Sequence, residues 1–270
     1  MTVVPLVNHR RERGNSVSVV TPPDVEVAHR PTTWGVLRSR TVGEPRAGVP
    51  EVLAVPGLAV AEYLLPAVRA LGSWTRAHLV ELPGFSGSGE PPHPMDVPQF
   101  ADAVAQWLAA SGLDRVVLVG HSSGTQIVAR VAAAGTPGVR AVVLASPTMD
   151  PQFRSTRRIL LAWRRNHPFE PPSLDVEHTP ERQRAGLRRV RHVLKVHLAD
   201  RLEDVVPRIA VPVLVLHGDQ DRICTREWAL ELSRLAPDGR FAAVPGAHSF
   251  VYATPDAWSA PIEQLARDAG

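Results

Sequence analysis

Six short runs of almost unbroken apolar residues recur along the chain, and nearly all of them end in glycine, proline or an acidic turn: "EVLAVPG" (51–57), "AHLVELPG" (77–84), "RVVLVG" (115–120), "VRAVVLASP" (139–147), "VPVLVLHGD" (211–219) and "RFAAVPGAH" (240–248). Runs of this kind have no polar side to turn outward, so they predict strands buried on both faces. Between them lie segments of helical period. "AEYLLPAVRALG" closes on Gly72, and "VPQFADAVAQWLAASG" sets Phe100, Val104, Trp107 and Leu108 on one face before Gly112. Further helices are expected from about Thr125 to Ala134, over 226–236 and over 256–268. Strands alternating with amphipathic helices predict an α/β fold: a mostly parallel central sheet with helices on both faces.

Two stretches break that alternation. Residues 1 to about 30 carry basic residues and prolines without a sustained period and are expected to form a flexible tail; "TTWGVLRSRTV" (32–42) then reads as extended. From 151 to 205 the chain is helical, strandless and rich in arginine, with "NHPFEPPS" as an irregular break. The expected organisation is therefore a tail over 1–30, a core over 31–150 and 206–270, and a helical lid over 151–205 above the strand ends.

The length of 270 residues suits one compact α/β unit with an insertion. Lys+Arg of 30 against Asp+Glu of 27 leaves a formal charge of only +3, and Lys195 is the sole lysine. Arginine usage of this kind, with abundant alanine and valine, reflects a GC-rich genome better than a nucleic-acid partner. The charge is uneven, however: 154–195 holds eleven Lys/Arg against four Asp/Glu, so the remainder is net acidic. Cys224 is the only cysteine, which excludes an intrachain disulfide and a cysteine-built zinc site. The N-terminal apolar stretch precedes its charges and makes a poor signal peptide, and no window nears the roughly 20 apolar residues of a membrane helix. A soluble, cytoplasmic protein without a membrane partner is expected.

"GHSSG", Gly120 to Gly124, satisfies G-x-S-x-G with Ser122 at its centre, a strand before it and the helical "TQIVARVAAA" after it. On such a bend the serine hydroxyl is pushed out at the carboxyl end of the sheet, and the glycines leave room for the strand and helix to meet. Ser123, one step further on, is placed to offer its backbone N–H to an oxyanion. A serine needs a base, and the base needs an orienting carboxylate. Of the eleven histidines, His9 and His29 fall in the tail, His93 in a proline-rich loop, His167, His178, His192 and His197 in the lid, His78 inside a strand and His121 on the bend itself. His217 and His248 remain, each at a strand end, with Asp219 and Asp221 beside the first of them. Loops at strand ends along one edge of a parallel sheet open on a common crevice, so these groups can converge on Ser122.

The elbow, "LPGFSGSGEPP" (82–92), "VPVLVLHGDQD" (211–221) and "VPGAHSF" (244–250) occur in the order and spacing of α/β-hydrolase fold proteins. The chain resembles that family from about residue 48 to its end, most weakly over 151–205. The resemblance implies an α/β-hydrolase fold with Ser122 as nucleophile, Asp221 as acid by the G-x-x-D pattern after Gly218, and His248 as base. Asp219 becomes a turn residue and His217 a packing residue. Asp150 is a rival acid, because some members place the carboxylate after the earlier strand. Backbone N–H groups of Leu58 and Ser123 would form the oxyanion hole. The chain departs from the family's usual His-Gly by having Pro56-Gly57, which removes a structural hydrogen bond, and Glu81 stands where an aspartate is usual. No cofactor or metal is implied.

The implied activity is serine hydrolysis of an ester, lactone or thioester of a small hydrophobic substrate through an acyl-enzyme. Epoxide hydrolases and haloalkane dehalogenases of this fold use an aspartate at the elbow, and Ser122 argues against both. C–C hydrolases, perhydrolases and lyases retain serine and stay open, as does a non-enzymatic small-molecule-binding protein. In the lid, Leu187, Val190, Leu194 and His197 or Leu198 form an apolar stripe with arginines opposite, including Arg188, Arg189 and Arg191. That basic face could take an acidic carrier protein, as in a carrier-directed thioesterase, or an anionic small substrate. Phe153, Leu160, Leu161, Trp163 and Phe169 are the apolar candidates of the lid, and Leu161, Trp163 and Phe169 the expected lining of the substrate pocket.

Overall fold

The computed structural model describes residues 24–270 apart from Ala59 and Ser86. Most of the expected tail, 1–23, thus lies outside the described residues, but its last part is a strand, β1 (Glu26–Thr32), paired antiparallel with β2 (Gly35–Val42). The tail expectation is corrected there: Thr32 and Gly35 close a hairpin, and pairing with β2 gives the polar "EVAHR" segment an ordered backbone. The chain continues through β3 (Glu51–Val55), α1 (Leu65–Gly72), β4 (Ala77–Val80), α2 (Val97–Ser111), β5 (Val116–His121), α3 (Gly124–Ala133) and β6 (Val139–Ala145). Helices α4 (Thr156–Asn166), α5 (Ser173–Ala185) and α6 (Leu187–Ala199) follow, then β7 (Val213–Gly218), α7 (Arg226–Leu235), β8 (Gly239–Val244), α8 (Phe250–Ala253) and α9 (Pro255–Asp268).

The eight strands form one sheet in the order β1-β2-β4-β3-β5-β6-β7-β8, with β2 antiparallel to both neighbours and all other pairs parallel. Alternation along the buried strands divides the core in two. Leu53, Val55, Leu118, Val142, Leu144 and Val215 face α2, α3 and α7, meeting Phe100, Trp107, Ile127 and Trp228. Val52, Ala54, Val117, Val119, Val143 and Leu216 face the other way onto α1, α8 and α9, meeting Leu71, Phe250, Trp258 and Ile262. A period of two inside an all-apolar run therefore still sorts side chains between two layers.

Between β6 and β7 the chain leaves the sheet as α4, α5 and α6 with short 3₁₀ turns, among them 151–153, 167–169, 202–204 and 206–208. A small core of Ile159, Ala162 and Leu194 joins these helices to Met149 and Ile223. Helix α4 buries Ile159, Ala162 and Asn166, a face that leaves Leu160 and Leu161 pointing outward. Leu187 is also not part of the stripe: it opens α6 directly after Gly186 and is 73% exposed, whereas Val193, Leu194 and His197 are buried. On the basic face, Arg189 is committed to the core, donating to the Gly84 carbonyl and pairing with Glu90, while Arg188 and Arg191 stay exposed. Among the described residues no helix is long and apolar enough to cross a membrane.

Candidate active site

Strand β5 ends at His121 and α3 begins at Gly124, leaving two residues to reverse the chain. Ser122 takes the left-handed conformation (φ 55°), a strained state for a non-glycine residue that lifts the side chain off the sheet edge. Both flanking glycines are obligatory by contact. A Cβ on Gly120 would stand 2.6 Å from the Gly124 carbonyl, and one on Gly124 would stand 2.4 Å from the Val55 carbonyl oxygen.

The loop after β8 brings His248 over the bend, and the loop after β7 brings Asp221 behind it. His248 Nε2 lies 2.9 Å from Ser122 Oγ, and His248 Nδ1 lies 2.9 Å from Asp221 Oδ2. A carboxylate accepts only, so Nδ1 carries the proton and Nε2 is free to accept from the serine hydroxyl. The other oxygen of Asp221, Oδ1, accepts the N–H groups of Ile223 and Cys224 at 2.7 and 3.0 Å. Burial works against the Asp221 anion, but the adjacent His248 and those N–H donors hold its carboxyl below the usual range. Burial likewise works against the His248 imidazolium; Asp221, by charge and hydrogen bond, and then Glu170 overcome it and raise the imidazole above its ordinary value.

The remaining candidates settle into other roles. Asp150 caps the turn at Pro151, accepting from Gln152 N and from Thr225 Oγ1 at 2.9 and 2.6 Å, and makes no contact with His248. Asp219 accepts the Gly246 N–H, and His217 Nε2 donates to the Cys224 carbonyl. Glu81 is fully buried beneath Arg38 and Arg40 and accepts the Gly87 N–H, so it holds the 82–92 loop. The N–H groups of Leu58 and Ser123 make no hydrogen bond to another described residue, and Ser123 occupies the N-cap of α3. An oxyanion beside Ser122 could use both, helped by the helix dipole.

Three residues that pattern reading missed complete the site. Tyr63 Oη accepts the Gly57 N–H at 2.9 Å and donates to His121 Nδ1 at 2.7 Å, while His121 Nε2 donates to the His248 carbonyl at 2.9 Å. Burial, with His248 nearby, depresses His121 to about 3, so this ring is neutral and its tautomer is set by that carbonyl. Glu170, in the irregular "NHPFEPPS" break, accepts from Ser249 N at 2.9 Å and Asn166 Nδ2 at 2.6 Å, which ties the insertion to the His248 loop. The spacing of Tyr63 six residues after Gly57 was a usable signal; nothing local marked Glu170.

A cavity of about 530 Å³ opens on Ser122 and His248, walled by Leu58, Tyr63, Trp163, Leu174 and Ile223 with Pro168, Pro171 and Pro172. Of the three expected pocket residues only Trp163 lines it. Leu161 is 46% exposed on the far side of α4, and Phe169 is 44% exposed with its ring against the Arg222 guanidinium at 5.2 Å. The proline-rich turn after Phe169 borders the cavity with half-buried Pro171 and exposed Pro172, in the place those two were expected to fill. Among the described residues no group of three His, Cys, Asp or Glu side chains could hold a metal.

Fold and site together define a hydrolase class. The chain belongs to the alpha/beta hydrolase family, whose sequence model matches residues 52–261. It is 27% identical over 241 residues to a protein of Azorhizobium caulinodans named "Putative carbamate hydrolase RutD", covering 79% of this chain and 89% of that one. Among solved structures it resembles the enol-lactonase of Burkholderia xenovorans LB400 (TM-score 0.68, 18% identity, 86% of this chain and 96% of that one). The esterase of Exiguobacterium antarcticum is similar in the same sense (TM-score 0.74, 16% identity, 86% and 96%).

Proposed function

We propose that the protein is a serine hydrolase that cleaves an ester, lactone or thioester of a small hydrophobic substrate, with Ser122 as nucleophile, His248 as base and Asp221 as the orienting acid. The observation that carries this reading is the unbroken relay from Ser122 Oγ through both nitrogens of His248 to Asp221. Ser122 Oγ attacks the carbonyl carbon while its proton passes to His248 Nε2, and the carbonyl oxygen gains charge beside the Leu58 and Ser123 N–H groups. Collapse expels the alcohol or thiol, which takes the proton from His248. The acyl-enzyme is then cleared by water, deprotonated by the same imidazole. The A. caulinodans relative adds the carbamate to the scissile groups worth testing.

The insertion over 151–205 acts as the lid in this reading, because it supplies Trp163, the three prolines and Leu174 to the cavity above the serine. A fluorophosphonate probe should label Ser122, and Ser122→Ala should lower p-nitrophenyl ester turnover by on the order of 10⁴-fold or more. An unlabelled wild type whose ester turnover survives in Ser122→Ala would sink the proposal and leave the binding-protein reading.

A further inference from the structure

Resting on the hydrolase reading, we infer that the cavity is built for a substrate that carries a carboxylate apart from its scissile bond, held by Arg182 of α5, which His178 positions. Asp175, His178 and Arg182 follow one another at helical spacing along the cavity side of α5, and all three line the cavity that contains Ser122. Arg182 donates from Nη2 to His178 Nδ1 at 3.2 Å. A guanidinium can only donate, so Nδ1 must accept and the imidazole proton sits on Nε2. That Nε2–H is buried without a partner, and the residue is only 8% exposed. The ring is held edge-on to Tyr63 with 5.0 Å between centroids, and Tyr63 in turn packs on His121, so His178 stands one aromatic ring away from the elbow.

Arg182 itself has no carboxylate within 4.0 Å among the described residues. The other charged groups of the cavity are engaged differently: Asp175 pairs with His167, and Glu170 accepts from Asn166 and Ser249 on the His248 side. The α5 wall of the cavity thus carries a guanidinium with no carboxylate in ion-pair contact among the described residues, with Asp175 acting on it only by charge, and an acceptor stands beside the base. Arg182 is exposed along the cavity wall, yet burial of part of its surface lowers the guanidinium below its ordinary value against the more distant charge of Asp175; a carboxylate of the substrate accepting from Arg182 offsets that loss. Burial first, and the neighbouring guanidinium second, depress His178 to about 3, so it stays neutral through the physiological range and its Nδ1 can accept from Arg182.

Two substrate pairs test this, each matched for size. One is p-nitrophenyl hydrogen adipate against its methyl ester, with the carboxylate on the acyl side; the other is 4-carboxyphenyl butyrate against its methyl ester, with the carboxylate on the leaving group. We expect a 10-fold or greater preference in kcat/KM for the acid in at least one pair, carried mainly by KM. Arg182→Gln should reduce that ratio towards one, and Arg182→Lys should recover part of it. Neutral esters turned over as well as or better than the acids in both pairs, or a preference untouched by Arg182→Gln, would overturn the inference while leaving the hydrolase reading intact. Should Ser122 fail to label, that reading falls instead; adipate binding by calorimetry, weakened by Arg182→Gln, still decides whether the carboxylate site exists.

Discussion

Tyr63 Oη lies 2.7 Å from Nδ1 of His121 and so joins the loop after β3 to the bend that carries Ser122. The phenol also receives the Gly57 N–H, one residue before Leu58, whose N–H is the proposed oxyanion donor. A Pro-Gly sequence lacks the histidine that braces this loop elsewhere in the family, and here the brace comes from a tyrosine in the following turn. Tyr63→Phe keeps the ring and removes both hydrogen bonds. In the proposed reaction kcat should fall roughly 10- to 100-fold, short of the 10²–10³ that follows outright loss of one oxyanion donor. KM should change little, and the thermal midpoint should fall by the equivalent of about 1–3 kcal/mol because the buried Gly57 N–H and His121 Nδ1 lose their partner; a loss confined to stability would make Tyr63 a packing residue only.

The pH dependence follows from His248. Its imidazole must be neutral to accept the serine proton, and Asp221 and Glu170 raise it against the effect of burial. Activity should therefore rise with pH along a limb centred above the ordinary histidine value of about 6.5. Glu170→Gln keeps the acceptor for Ser249 N but removes a negative charge, which disfavours the imidazolium. The limb in kcat/KM should move to lower pH; a shift upward, or none, would show that Glu170 does not act on the base.

The elbow tolerates no side chain at its glycines. In Gly124→Ala the new methyl would meet the Val55 and Pro56 carbonyl oxygens at 2.4 and 2.7 Å, both of them backbone atoms that cannot swing aside. We expect a loss of about 1–3 kcal/mol or more, read as a lowered urea midpoint, together with loss of fluorophosphonate labelling. Wild-type stability in this variant would mean that strand and helix are further apart than described.

Acid should destabilise the protein before its carboxylates are protonated. His121, His178 and His197 are each depressed to about 3, chiefly by burial. A depressed group contributes stability that is fully present above its unfolded value and is lost as pH falls towards its folded one. The unfolded chain binds these protons first, so between about pH 6.5 and 3 each histidine can remove up to about 1.4 kcal/mol per pH unit. Urea midpoints measured at pH 7 and pH 5 should fall, and His197→Asn should flatten the decline. An unchanged midpoint across that range would contradict the burial of these rings.

The apolar runs and the glycines of "GHSSG" are local facts, and they determined a great deal. Strand order along the chain, the helices between strands and the bend at Ser122 were legible because each depends on a short run, and the rule that parallel strand ends share one edge narrowed the partners to His217 or His248 and Asp219 or Asp221; the family resemblance chose the Asp221–His248 pair that is found. The insertion was legible as helical but not as a wall. A helical period shows that a face is apolar and not what lies opposite it, so Leu161 and Phe169 were expected inside and lie outside, while His178 was set aside, Glu170 and Arg182 carried no local mark, and all three line the cavity. Residues separated by 58 positions, as Tyr63 and His121 are, or by 79, as Glu170 and Ser249 are, meet only when the sheet has brought its loops together. Sequence by itself determined which residue types could perform acyl transfer and in what order along the chain. The tertiary structure decided which polar groups surround them, because unpaired donors and acceptors acquire meaning only from the neighbours that burial leaves them.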